Sequence, residues 1–238
     1  MTSKSIKHIS ILPYRPAQTN LQLYLQMLDK GYNKEDVNLV NRAYLFTINK
    51  VHLMYRGSGK PFICHLVGTA SLMVLCKQSI DVVLAALMHA LYQNRVSFEG
   101  TKDIRKRREI ISQKFGKVCD RLISEYTEFE MTGIKDIDPN HITVDKQVLL
   151  MRIADELEDL VDFGLCLHGL EGEPKEKGGS YLSRRTRKEK EGKILIKLAN
   201  QLNAESLAEG LEYWLDFSKY DDYPQNLKTG FYSSIAIK

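Results

Sequence analysis

Two histidines and one aspartate stand in surroundings that could give them chemistry. His65 opens an apolar stretch just after Pro61, and His89 sits inside the run Leu84-Ala85-Ala86-Leu87-Met88-His89-Ala90-Leu91-Tyr92. An imidazole is costly to bury unless a hydrogen bond or a metal satisfies it. Asp155 lies two residues from both Ile153 and Leu157, which belong to an apolar stripe, so its carboxylate can tilt inward. Singly, each has a plain reading: a satisfied core histidine, or a carboxylate paired with Arg152 three residues earlier. Together, two neutral imidazoles and a carboxylate suit Mn²⁺, Fe²⁺ or Zn²⁺, with coordination positions left for water and substrate. A cation held this way lowers the pKa of a bound water and polarises a phosphoryl oxygen. The same donor set also holds Fe²⁺ for oxygen-dependent or lyase chemistry. The neighbouring Glu156, Glu158, Asp159 and Asp162 are expected mostly to face water. His8, His52, His141 and His168 have more polar settings and are given no role.

Positioning such residues requires helices, and the chain is patterned for them. Leu21, Leu25 and Leu28 suggest a short amphipathic helix over 19–30, ended by Gly31. Val37, Val40, Tyr44, Ile48 and Val51 form one face of a helix over 34–54. The turn Arg56-Gly57-Ser58-Gly59-Lys60-Pro61 then breaks the pattern. An apolar helix follows over 63–76. Ser79 is placed to cap another over 80–92, whose all-round apolar character puts it in the middle of a bundle. A charged segment over 102–116 leads to a helix over 117–129 and a loop over 131–140. A strong amphipathic helix is expected over 144–167, with Leu150, Ile153, Leu157, Leu160 and Gly164 on one face. After a linker over 169–179, a last long helix runs over 185–217 with an interruption near Asn203. Strand signal is weak and no repeat is evident, so the class is all-α.

Composition narrows the function. Hydrophobic residues are 43% of the 238, enough for a sizeable core. Net charge is only +4, and the one basic run, Arg184 to Lys190, has no interleaved aromatics; both argue against nucleic acid. Cys64, Cys76, Cys119 and Cys166 are widely spaced without a CxxC pair, which disfavours structural zinc and fits a reducing, cytoplasmic setting. No apolar run approaches about 18 residues and the N-terminus lacks a secretory pattern, so neither a membrane span nor a signal is expected. The aromatic tail, including Trp214, Tyr220, Tyr223, Phe231 and Tyr232, is expected to pack on its own domain or a partner subunit.

Three stretches carry a family resemblance. Residues 55–65, Tyr-Arg-Gly-Ser-Gly-Lys-Pro-Phe-Ile-Cys-His, look like the Arg-x-Ser-Gly-Glu/Lys-Pro-Tyr/Phe-Ile-x-His motif of RelA/SpoT hydrolase domains. Ala85-Ala86-Leu87-Met88-His89 is similar to the Ala-Ala-Leu-Leu-His-Asp motif that names the HD superfamily, and Met151 to Asp155 resembles the family's Val-Lys-Leu-Ala-Asp. Order and separation also match, over roughly residues 36–216. The resemblance implies an HD-domain helical bundle over 36–217, with an extension over 1–35 and a tail over 218–238. It implies a divalent metal, usually Mn²⁺, and hydrolysis of (p)ppGpp at its 3′-pyrophosphate. Carried over, His65, His89 and Asp155 fall on metal-ligand positions, and Arg56 and Ser58 on substrate contacts; Lys60 is a further phosphate candidate. Gln93 and Asn94 take the places of the Glu-Asp pair that positions the attacking water, and amides cannot serve as a general base. Ala90 replaces the Asp of the HD pair. Asp159 and Asp162 replace the Asn and Thr of the nucleoside pocket, and Gly57 replaces a basic residue. The expected function is a divergent metal-dependent phosphohydrolase acting on a nucleotide or other small phosphorylated compound. The alternatives are an inactive HD-like binding or regulatory module, or different chemistry at the same metal.

Overall fold

The computed structural model describes residues 15–56, 60–94, 96, 98, 100–132, 143–161 and 181–217. Among them lie nine α-helices and no strand beyond an isolated bridge between Tyr55 and Pro61. The architecture is the all-α bundle that the sequence implies. In order the helices are α1 (Asn20–Asp29), α2 (Lys34–Val51), α3 (Phe62–Leu75), α4 (Ile80–Met88), α5 (Ile104–Phe115), α6 (Lys117–Thr132), α7 (Lys146–Val161), α8 (Tyr181–Gln201) and α9 (Glu205–Phe217). None is long and apolar enough to cross a membrane.

The centre of the bundle is α3, α4 and α7. Val82 to Met88 are all fully buried, as the all-round apolar run requires. Each such Leu or Val contributes about 1.5–3 kcal/mol on burial. Helix α4 packs on α2, α3, α6 and α7, and α7 touches α3, α4, α6, α8 and α9. The α8–α9 hairpin closes tightly because Gly192 has no side chain: a Cβ there would stand 2.4 Å from Leu215 Cδ1. The break between these helices falls at Asn203, in left-handed backbone at φ 55°.

Local signals act where the chain needs them. Thr19 and Asn33 each accept from the backbone three residues on and form capping boxes with Gln22 and Asp36. Gly31 follows α1 at φ 88°.

Four expectations need correction. The face of α1 is turned: Leu23 and Met27 are buried, whereas Leu21, Leu25 and Leu28 are 67%, 68% and 49% exposed. Among the described residues, helix α1 packs mainly on α2 and α3, so a narrow seam suffices and the longer leucine series faces out. Helix α4 ends at Met88 rather than Tyr92, and Ser79 stands at its start without a side-chain cap bond. The charged segment over 102–116 is itself a helix, α5, capped by Asp103 and buried through Arg107, Ile111 and Phe115. Trp214 is fully buried in α9 rather than part of a tail. Gly57, Ser58, Asp162, Gly164, Cys166, His8, His141, His168, the linker over 169–179 and residues 218–238 lie outside the described residues, as do the side chains of the basic run through Lys188.

Candidate metal centre

His65 sits on the first turn of α3. The turn before it is closed by its own backbone: Arg56 N donates to Lys60 O at 2.8 Å, and Phe62 N to Met54 O at 2.9 Å. These bonds hold Arg56 and Lys60 beside the start of α3. His89 is the residue after α4, and Asp155 lies in the middle of α7. His65, His89 and Asp155 are 0%, 3% and 6% exposed. Each offers one ligand atom, and the three atoms lie within 4.8 Å of one another. His65 Nε2 is 3.0 Å from Asp155 Oδ1, and His89 Nε2 is 3.6 Å from the same oxygen. The two imidazoles meet edge to face with centroids 5.4 Å apart.

Each donor is oriented through its other polar atom. His89 Nδ1 donates to the Ala86 carbonyl at 2.8 Å, which turns Nε2 toward Asp155 Oδ1, 3.6 Å away. His65 Nδ1 donates to Glu158 Oε2 at 2.6 Å, which turns its Nε2 toward Asp155 Oδ1 at 3.0 Å. Asp155 Oδ2 accepts from Tyr126 Oη at 2.6 Å and from Arg152 Nη1 at 2.8 Å. Its other oxygen, Oδ1, is buried and accepts no hydrogen bond of acceptable angle among the described residues, despite the nearness of His65. Such an oxygen needs an explanation. Two ring nitrogens and one carboxylate oxygen face the same spot, an arrangement that repels itself when both nitrogens are unprotonated unless positive charge stands between them. The donor types fit a divalent first-row cation, and the outer hydrogen bonds are those that orient metal ligands.

The electrostatics agree. Burial and the nearby Arg56 both push the His65 imidazolium down, but Glu158 and the contacts with Asp155 outweigh them and raise its pKa to about 9. Burial alone would raise Asp155. The contact with His65 and the charges of His65, His89 and Arg152 hold it well below the usual carboxylate range instead. Arg56 is desolvated, yet Asp159, Asp155 and Glu158 together push its pKa up. The space between His65 and Asp155 therefore favours positive charge, as a proton or as a cation. Arg56 Nη1 donates to His65 Nε2 at 3.4 Å, a long bond that a closer ligand would displace.

Not every expected substrate group is free. Arg56 pairs with Asp159, and Lys60 pairs with Glu158, so candidates named separately in the sequence neutralise acidic residues of α7. Gln93 is half-buried and Asn94 exposed in the turn after His89. Arg107, on α5, holds that turn by donating to the carbonyls of Leu91, Gln93 and Thr101. The acidic neighbours of Asp155 do not mostly face water: Glu156 is 5% and Glu158 0% exposed, Glu156 paired with Arg152. Asp155 makes the Arg152 pair through Oδ2, while its Oδ1 is turned toward His65 and His89.

Glu158 and Tyr126 were missed in the sequence. Glu158 lies three residues past Asp155 and so shares its face of α7, which was the available signal. Tyr126, on α6, gave none.

Comparison with known proteins gives a distant answer. The chain is 25% identical over 144 residues to GTP pyrophosphokinase rsh of Brucella melitensis biotype 1, covering 56% of this chain and 18% of that protein. The proteins of the same description from Brucella ovis and Brucella abortus match with the same identity and coverage. This supports a relation to the RelA/SpoT superfamily. The chain spans under a fifth of the length of these relatives. No family model matches it.

Proposed function

We propose that the protein is a metal-dependent phosphohydrolase of HD type that acts on a nucleotide or another small phosphorylated compound. One observation carries the reading: Nε2 of His65, Nε2 of His89 and Oδ1 of Asp155 converge while Oδ1 accepts no hydrogen bond of acceptable angle among the described residues. The nitrogen and oxygen donors suit Mn²⁺ first, as the resemblance implies, with Fe²⁺ or Zn²⁺ as substitutes. Bound there, such a cation supplies a water of lowered pKa and a Lewis acid for a phosphoryl oxygen.

The charges around the centre suggest how a substrate would enter. Asp155, Glu156, Glu158 and Asp159 face Arg56, Lys60, Arg152 and the readily protonated His65. With its cations already paired, the site has little spare attraction for phosphate. A divalent cation adds positive charge and leaves Arg56, which is partly exposed, able to exchange Asp159 for a phosphate oxygen. Substrate binding should therefore depend on the metal. The test is metal content by elemental analysis together with phosphate release from a nucleotide panel, with and without added Mn²⁺. A metal-free protein, inert toward the whole panel with Mn²⁺ supplied, would count decisively against the reading.

A second reading, an inactive binding or regulatory module, is favoured by Ala90, Gln93 and Asn94. Ala90 is fully buried where the HD pair would place a carboxylate. On this reading, His65→Ala weakens ligand binding no more than its loss of stability explains, and no nucleotide is turned over by the metal-bound protein.

A further inference from the structure

We infer that Glu158 is the positioning residue of the centre: it holds the His65 imidazole by its Nδ1–H and thereby sets how tightly a cation is bound at Nε2. The affinity part rests on the metal reading above; the orientation part rests on the hydrogen bond alone.

Glu158 is completely buried, and its two oxygens have separate tasks. Oε2 lies 2.6 Å from His65 Nδ1, while Oε1 pairs with Lys60. A buried carboxylate must be paired to be tolerated, and here one partner comes from the turn before α3 and the other from α3 itself. Among the described residues, a further acceptor near Nδ1 is Asp159 Oδ1, at 3.7 Å. A second, independent feature is Gly68, three residues after His65 on the same face of α3. A Cβ on Gly68 would stand 2.6 Å from both Cγ and Oε1 of Glu158. Gly68 is not among the positive-φ glycines, so its backbone does not require the residue type. Glycine is a poor helix former, and room for the Glu158 side chain accounts for it. Helix α3 thus supplies both the ring and the space for the carboxylate that aims it. A carboxylate on the distal nitrogen fixes the ring orientation and raises the basicity of the ligating one.

The experiment compares Mn²⁺ affinity by calorimetry with the His65 Hδ1 proton resonance of the metal-free protein, for wild type and Glu158→Gln. The expected result is about 10–100-fold weaker Mn²⁺ binding, with the Hδ1 signal moved upfield and exchanging faster with water. The His89 Hδ1 proton, bonded to the Ala86 carbonyl, stays put and serves as the internal control. A general loss of packing would move both signals. Gly68→Ala is the second variant, used also if Glu158→Gln does not fold: it crowds the carboxylate without touching an ionisable group and should act in the same direction. Mn²⁺ affinity within twofold of wild type overturns the inference, whether or not Hδ1 moves. If wild type binds no Mn²⁺, the metal reading fails by itself; Glu158 is then judged on Hδ1, where an unmoved signal overturns its role and a moved one supports it.

Discussion

Replacing Asp155 by Asn separates the role of this residue in the fold from its role toward a cation. The amide oxygen can still accept from Tyr126 and Arg152, as Oδ2 does at 2.6 and 2.8 Å. The amide nitrogen would face Nε2 of His65 and His89, now 3.0 and 3.6 Å from Oδ1, and can donate to them where the imidazoles are neutral. Volume and most hydrogen bonds are kept, so the metal-free variant should lose only about 1–2 kcal/mol, the cost of weakening a charge-assisted bond. The response to metal should differ sharply. At a Mn²⁺ concentration 100 times the wild-type Kd, binding stabilises the native state by about 2.7 kcal/mol. For a chain of this length that is roughly 5–10 °C in Tm. A 100-fold loss of affinity would leave only about 0.4 kcal/mol at the same concentration, a shift of under about 2 °C. Thermal melts of both proteins in chelator and in Mn²⁺ read this directly. Equal Mn²⁺-induced shifts in both proteins, or none in wild type, would refute the reasoning.

Further outcomes follow from other features. In chelator, the His65 pKa, raised from 6.5 to about 9 by its carboxylate partners against burial and Arg56, contributes stability that is complete below about pH 6.5 and lost as pH rises toward 9. That loss amounts to roughly 3 kcal/mol; melts across the window should show it, and a flat profile would contradict it. Arg107→Met removes the donors to the Leu91, Gln93 and Thr101 carbonyls and should cost about 3 kcal/mol or more in urea unfolding. Lys77→Gly, at φ 51° after α3, should stabilise by up to about 1 kcal/mol, seen as a higher Tm.

The central helices were legible because their burial is written into composition. Val82 to Met88 offers no polar face, and only the interior of a bundle accepts such a helix. Helix α1 was legible in extent but not in facing, since Leu21, Leu25 and Leu28 outnumber the residues that pack, and tertiary context chose Leu23 and Met27. Helix α5 was hidden by its charges. Its buried stripe of Arg107, Ile111 and Phe115 keeps helical spacing, but the first member is an arginine whose burial depends on carbonyls from another segment. The convergence of His65, His89 and Asp155 came from motif resemblance, because residues up to 90 positions apart have no local pattern to join them. Local sequence points Glu158 toward solvent because its partners, Lys60 and His65, lie more than 90 residues earlier in the chain.

Helix α7 is largely buried, in part under the α8–α9 hairpin, which among the described residues donates no group to the cluster. A fragment stopping at residue 161 would therefore keep all three converging side chains and still strip the wall behind them. Helix α9, whose Leu211 and Trp214 are wholly shielded in the intact chain, packs on α7 and would no longer be there to cover it. The shortest stretch that spells out the motifs is thus shorter than the stretch that can hold them still, and dissecting this protein by motif boundaries would remove its scaffold before its chemistry.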